Sequence, residues 1–115
     1  MSTRAFVGMT LPNQTIITIN CFHDAYPKHL GRILTENYNT EAKIEELMKG
    51  GDLTDIEITP ELCNYEHKGK GPVAESNRPV TYHNFEVFIK KAKEYIRDYA
   101  YLFHDGQWHT YDPFE

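Results

Sequence analysis

The stretch Cys21-Phe22-His23-Asp24-Ala25-Tyr26-Pro27 sets a thiol, an imidazole, a carboxylate and a phenol within a few residues of one another. An imidazole changes charge near neutral pH, a carboxylate accepts hydrogen bonds, and a tyrosine can stack or donate. Pro27 suits the first turn of a helix, whose free N–H groups would attract an anion. The same residues also have plainer uses, Asp24 as a helix cap and Tyr26 as a packed ring. A second set is basic: His67-Lys68-Gly69-Lys70-Gly71, with Arg78, Tyr82 and His83 beyond it. Guanidinium groups pair bidentately with planar anions, and glycine lets backbone approach a phosphate. A charge run of this kind also serves as solvated surface. Arg4 and Arg32 are guanidinium groups that could reach the Asp24 turn. The candidate ligand-binding residues are therefore Arg4, His23, Asp24, Tyr26, Arg32, Lys68, Arg78, Tyr82 and His83.

Catalytic patterns are weaker. Cys21 and His23 lie two apart on one strand, on the same side but out of hydrogen-bond reach. Cys63 has no evident partner. The chain has no G-x-S-x-G elbow and no phosphate-binding glycine loop. His67, His83, His104 and His109 lack the spacing of a metal site, although His104 and His109 should be diagonal neighbours on one hairpin. Glu45, Glu46, Asp52 and Asp55 look like solvated helix and loop faces. The expectation is a binding protein with no cofactor and no metal.

Several elements must position these residues. Thr3–Met9 alternates, Pro12-Asn13-Gln14 supplies turn chemistry, and Thr15–Phe22 is rich in β-branched residues, so an N-terminal hairpin is expected. Leu30, Ile33, Leu34 and Tyr38 follow Pro27 at helical spacing. Asn39-Thr40 offers a cap for a second helix carrying Ile44, Leu47 and Met48, which Gly50-Gly51 ends. Residues 52–58 could hold a short strand, and residues 66–80 read as a mobile loop. Asn84 can cap a third helix with Phe85, Phe88, Ile89, Ala92, Ile96 and Tyr99 on one face. Lys90, Lys91, Lys93, Glu94 and Arg97 would cover its polar side. Asp105-Gly106 is a strong hairpin signal and sets Phe103 opposite Trp108. The expected fold is α+β: one domain, with a small antiparallel sheet of N-terminal and C-terminal hairpins against about three helices.

The 115 residues carry a formal net charge of −5, which argues against general nucleic-acid binding. Eight Tyr, six Phe and one Trp are more rings than one core needs, so some should line a surface or cleft. No apolar run is long enough to span a membrane, and the first residues lack the profile of a secretory signal. A cytoplasmic protein with two free thiols, Cys21 and Cys63, is expected.

The chain resembles a family of small phage and prophage proteins. Those proteins pair an N-terminal Ser-Thr-Arg strand with a Cys-x-x-Asp-x-Tyr-Pro-x-x-x-Gly turn and a Tyr-Leu-Phe-x-Asp-Gly-x-Trp hairpin. The matching positions are Ser2-Thr3-Arg4 with Gly8, then Cys21, Asp24, Tyr26, Pro27 and Gly31, then Gly51-Asp52-Leu53, and Tyr101-Leu102-Phe103 through Trp108. Phe22, His23 and Ala25 depart from the family's usual His, Trp and Gly. The resemblance implies a phage accessory protein acting in the cytoplasm of a bacterial host. The expected function is counter-defence: a homo-oligomer that sequesters a nucleotide-derived immune signal without converting it. The alternatives are an anti-CRISPR-type inhibitor that sets an acidic, Tyr-rich surface against a host defence protein, and a small hydrolase centred on His23 and Asp24.

Overall fold

A computed structural model describes residues 2–115. The N-terminal hairpin forms as the alternation requires, with β1 (Ala5–Thr10) antiparallel to β2 (Ile16–Cys21). Leu11 N–H donates to Thr15 O at 2.8 Å to close the turn. The chain then passes through a π-helical turn at Pro27–Gly31 into α1 (Arg32–Asn37) and α2 (Glu41–Met48). Thr40 caps α2, its hydroxyl accepting from Lys43 N–H. Short strands β3 (Leu53–Asp55), β4 (Asn64–Tyr65) and β5 (Val80–Tyr82) lead to α3 (Phe85–Glu94). Asn84 caps that helix through Val87 N–H at 2.9 Å. The last elements are β6 (Tyr99–His104) and β7 (Gln107–Tyr111), joined at Asp105-Gly106, with Phe103 opposite Trp108.

The fold is α+β, with three helices and a seven-stranded sheet in the order β4-β3-β2-β1-β6-β7 and β5 beside β2. The sheet is mixed, not antiparallel throughout. β1 pairs in parallel with β6, from Ala5–Tyr99 to Met9–Phe103, and β2 pairs in parallel with β3. The two hairpins thus meet side by side in one sheet. Alternation along the strands then builds two cores. Ala5, Val7, Met9, Ile19, Cys21, Tyr101 and Phe103 pack with buried residues of α1 and α2. Phe6, Ile16, Ala100 and Leu102 face the other way, onto Phe88 and Ala92 of α3.

Phenols and the indole tie outer segments to these cores. Tyr38 Oη donates to Glu57 O, Tyr65 Oη to Leu47 O and Tyr101 Oη to Ala25 O, each at 2.7 Å, while Trp108 Nε1 donates to Tyr38 O at 2.8 Å. Burial raises all three phenols above their ordinary range, so they stay protonated as donors. Other rings are exposed, among them Tyr26, Phe85, Tyr95 and Phe114.

Two expectations fail here for local reasons. The third helix does not continue through Ile96 to Tyr99; it ends at Glu94, and Ile96 takes a left-handed φ of 58°. Ile96 N–H reaches Lys93 O and Arg97 N–H reaches Ala92 O at 2.8 Å, the bonding of a helix-terminating motif that usually uses glycine. A β-branched residue is strained in that conformation. Because Ile96 is also 61% exposed, Ile96→Asn is expected to raise stability by about 1 kcal/mol, since asparagine tolerates the left-handed region. Urea unfolding would register this as a higher midpoint, and a lower one would mean that the isoleucine side chain packs usefully. The second failure is Asp52, which is not solvated but buried, at 5% exposure. Residues 66–80 contain no strand before Val80, and they are fastened to this same aspartate. Asp52 N–H donates to Asn77 O, and Glu66 N–H donates to Asp52 O, both at 2.9 Å.

Candidate functional site at Arg97

The reversal at Ile96 turns Arg97 inward, away from the polar face where its helical spacing would put it. Only 9% of it is exposed. Its Nε donates to Asn20 Oδ1 at 2.9 Å and its Nη1 to Tyr95 O at 2.8 Å. The guanidinium lies 5.3 Å from the Phe22 ring centre, 5.8 Å from Phe6 and 5.9 Å from Tyr95, within cation–π range of all three.

Asn20 links this cation to Asp52. Its backbone N–H and its Nδ2 both donate to Asp52 Oδ1, at 2.8 and 3.2 Å. The outer edge of β2 explains the arrangement. β5 pairs with residues 16 to 18 and β3 with Cys21, so between them the Asp52 carboxylate takes a bond that a strand carbonyl would otherwise accept. Burial raises the Asp52 carboxyl above the usual carboxylate range, against the opposing pull of the Asn20 hydrogen bonds and the Arg97 charge. Arg97 is lowered, first by burial and next by the charge of Arg4. Arg4 sits just before β1 as Arg97 does before β6. Its backbone is bridged to Asp98: Arg4 N–H donates to Asp98 Oδ2 at 2.9 Å, and Asp98 N–H donates to Arg4 O at 2.8 Å. Among the described residues neither guanidinium has a carboxylate within salt-bridge distance.

Of the sequence candidates, Tyr82 comes to this cluster, and Arg4 is bridged through its backbone to Asp98 beside Arg97. Tyr82 stacks on Phe6 with ring centres 5.7 Å apart. His23 is exposed, with Nδ1 2.6 Å from Ser2 Oγ. That is nucleophile-to-base spacing, but among the described residues no side chain bonds the second ring nitrogen. Asp24 has a left-handed φ of 51° and caps nothing, because the helical turn starts after Tyr26, which provides no side-chain cap either. Pro27 lacks an N–H, and those of His29 and Leu30 are taken by Tyr26 O, so the anticipated array of free donors does not form. Tyr26 is exposed, its ring 6.0 Å from that of His29. It borders a groove of about 320 Å³ shared with Asp98, Tyr99 and Phe114. Arg32, Lys68 and His83 are exposed on the surface. Arg78 donates from Nε to Val73 O within its own loop.

The thiols are not poised for attack. Burial pushes Cys21 up to about 12. It also raises Cys63, whose Sγ accepts from Glu57 N–H at 3.2 Å. Both stay protonated at neutral pH, where only the thiolate is nucleophilic. Among the described residues no three His, Cys, Asp or Glu side chains are grouped to hold a metal, and no helix is long and apolar enough to cross a membrane. His104 and His109 are neighbours as expected, their ring centres 6.4 Å apart. Sequence reasoning missed Arg97, Asn20 and Asp52, whose residue types suit a polar helix face and a loop as well as they suit this interior. Comparison of the chain with family models, with curated proteins and with solved structures finds no match to any of them.

Proposed function

We propose that the protein binds a nucleotide-derived anion and holds it unchanged, and that Arg4 and Arg97 receive its phosphate. The supporting observation is the buried Arg97 guanidinium, which among the described residues has no carboxylate within salt-bridge distance, with Arg4 bridged through its backbone to the adjoining Asp98, in a chain of net charge −5. Two cations held this way are stabilised by an anion that bridges them. The half-buried Tyr82 and the 46% exposed Tyr95 supply rings beside that position on which a base can stack. The raised thiols and the unsupported Ser2–His23 pair favour retention over turnover. With the resemblance to small phage proteins, this suggests a counter-defence protein that removes an immune signal by affinity.

Thermal-shift measurements with cyclic dinucleotides, cyclic mononucleotides and ADP-ribose derivatives test the proposal. A ligand present at a hundred times its Kd should raise Tm by about 10 °C. The ligand should be recovered intact by chromatography after the protein is heated. Arg97→Met keeps much of the side-chain volume and removes the charge, and it should weaken binding by about 30- to 100-fold, the loss expected for a hydrogen bond to a charged group. Arg4→Gln should weaken binding in the same direction in a protein of unchanged fold. The absence of any nucleotide-induced shift, or the appearance of a hydrolysed product, would overturn the proposal.

A further inference from the structure

The groove that Tyr26 borders, of about 320 Å³, opens where β1 and β6 begin. Thr3, Tyr26, Asp98, Tyr99, Asp112 and Phe114 line it, so that three rings and two carboxylates share one opening with no Lys, Arg or His among them. Tyr99 packs against the core beneath α1 and α2, whereas Arg97 lies over Phe6 of the α3 core. Groove and cluster therefore belong to different faces of the sheet.

Hydrogen bonds hold the walls in place. Ala25 N–H donates to Thr3 O at 3.2 Å, which fixes the Tyr26 turn beside the start of β1. Asp98 Oδ2 accepts from Arg4 N–H, and Asp112 Oδ1 accepts from Phe114 N–H, both at 2.9 Å. A backbone amide thus orients each carboxylate through one oxygen and leaves the other oxygen uncommitted. Both aspartates are exposed to solvent, and among the described residues neither has a cation within salt-bridge distance. Buried Pro113 anchors the wall that carries Asp112 and Phe114. Tyr26 is 42% and Phe114 52% exposed, large rings turned to water rather than into either core.

This lining discriminates among ligands. An anion would face two carboxylates, and an uncharged ring would leave both of them unpaired. A calcium ion takes a shell of many oxygens, of which the groove offers few. An alkylated ammonium requires no hydrogen-bond acceptor. It is attracted by the faces of aromatic rings and by nearby negative charge together.

We infer that this groove is a second binding site, for an organic cation whose quaternary ammonium group lies among the rings of Tyr26, Tyr99 and Phe114 and faces Asp98 and Asp112. The inference does not rest on the function proposed for Arg4 and Arg97.

The test is an NMR titration of the intact protein with choline chloride, against its uncharged carbon analogue 3,3-dimethylbutanol and against sodium chloride and calcium chloride at equal ionic strength. Choline should shift the ring signals of Tyr26, Tyr99 and Phe114 and the amides of Asp98 and Asp112, leaving the Arg97 side chain unmoved. It should bind about fivefold more tightly than the uncharged analogue. Asp112→Asn keeps an oxygen for Phe114 N–H and removes the charge, so it should weaken choline about fivefold and the analogue not at all. Tyr26→Ala, at an exposed position, should weaken choline in a protein of unchanged fold and serves as the second variant. Four results would overturn the inference: no localised shifts at millimolar choline beyond those of sodium chloride, equal binding of choline and its analogue, both variants binding choline as the unsubstituted protein does, or calcium shifting these residues where choline does not.

Discussion

Phe88→Ala is expected to cost about 3–5 kcal/mol, the usual loss for truncating a fully buried aromatic side chain. The reason is the size of the core it serves. Among the described residues the buried apolar cluster on the α3 face of the sheet is Phe6, Ile16, Phe88, Ala92, Ala100 and Leu102, and Phe88 is completely enclosed among them. Its ring centre lies 5.7 Å from that of Phe6 and 6.4 Å from that of Phe85. It also fits over Gly8, where an added Cβ would come within 2.8 Å of Phe88 Cε1. Against a total stability of roughly 5–15 kcal/mol, such a loss is a large fraction. Urea unfolding should show a lower midpoint at an unchanged slope. A midpoint near that of the unsubstituted protein would mean that α3 contributes little to the sheet's stability.

Gly51→Ala should cost roughly 3 kcal/mol, from strain and collision together. Gly51 follows α2 with φ at 81°, where a side chain is strained whatever the space. Here there is also no space, because an added Cβ would collide with Asn77 O. That carbonyl accepts the Asp52 N–H, so moving it aside strips a hydrogen bond from the residue that supports Asn20. The substitution should therefore also disturb the Arg97 cluster. Circular dichroism melting would read the stability loss, and the Asn20 side-chain NMR signals would report the displacement. A variant as stable as the original, with those signals unmoved, would show that the 66–80 segment yields freely at Asn77.

Both hairpins were legible because their signals are local: alternating apolar residues, and Asp105-Gly106 at a turn that tolerates positive φ. The caps at Thr40 and Asn84 were legible for the same reason. The parallel contact of β1 with β6 was not, because the partner of a free strand edge is chosen by segments far apart in sequence, and alternation is silent about direction. The third helix was extended too far because Ile96 and Tyr99 fit its spacing, while the strained turn that ends it uses isoleucine where glycine is customary. The same turn hid the site. Arg97 continues a run of Lys and Glu and was assigned to water, and Asp52 follows two glycines as a solvated loop residue would. Arg4 and Tyr82 were singled out on chemical type alone. His23, Asp24 and Tyr26 were equally plausible by type, but in the fold they stay on an exposed turn.

The pairing of β1 with β6 also sets an order of assembly. Residues 94 apart in sequence must meet before the middle of the sheet is continuous. During synthesis β1 leaves the ribosome well before β6, and it can take β2 as a partner almost at once. Its other edge stays open until β6 emerges, and for that interval Ala5, Val7 and Met9 lack the packing of Tyr101 and Phe103. Contacts this distant slow folding relative to local ones. The unpaired edge is meanwhile a template for a neighbouring nascent chain. Newly made protein should therefore depend on chaperones that shield such an edge more than the finished fold would suggest.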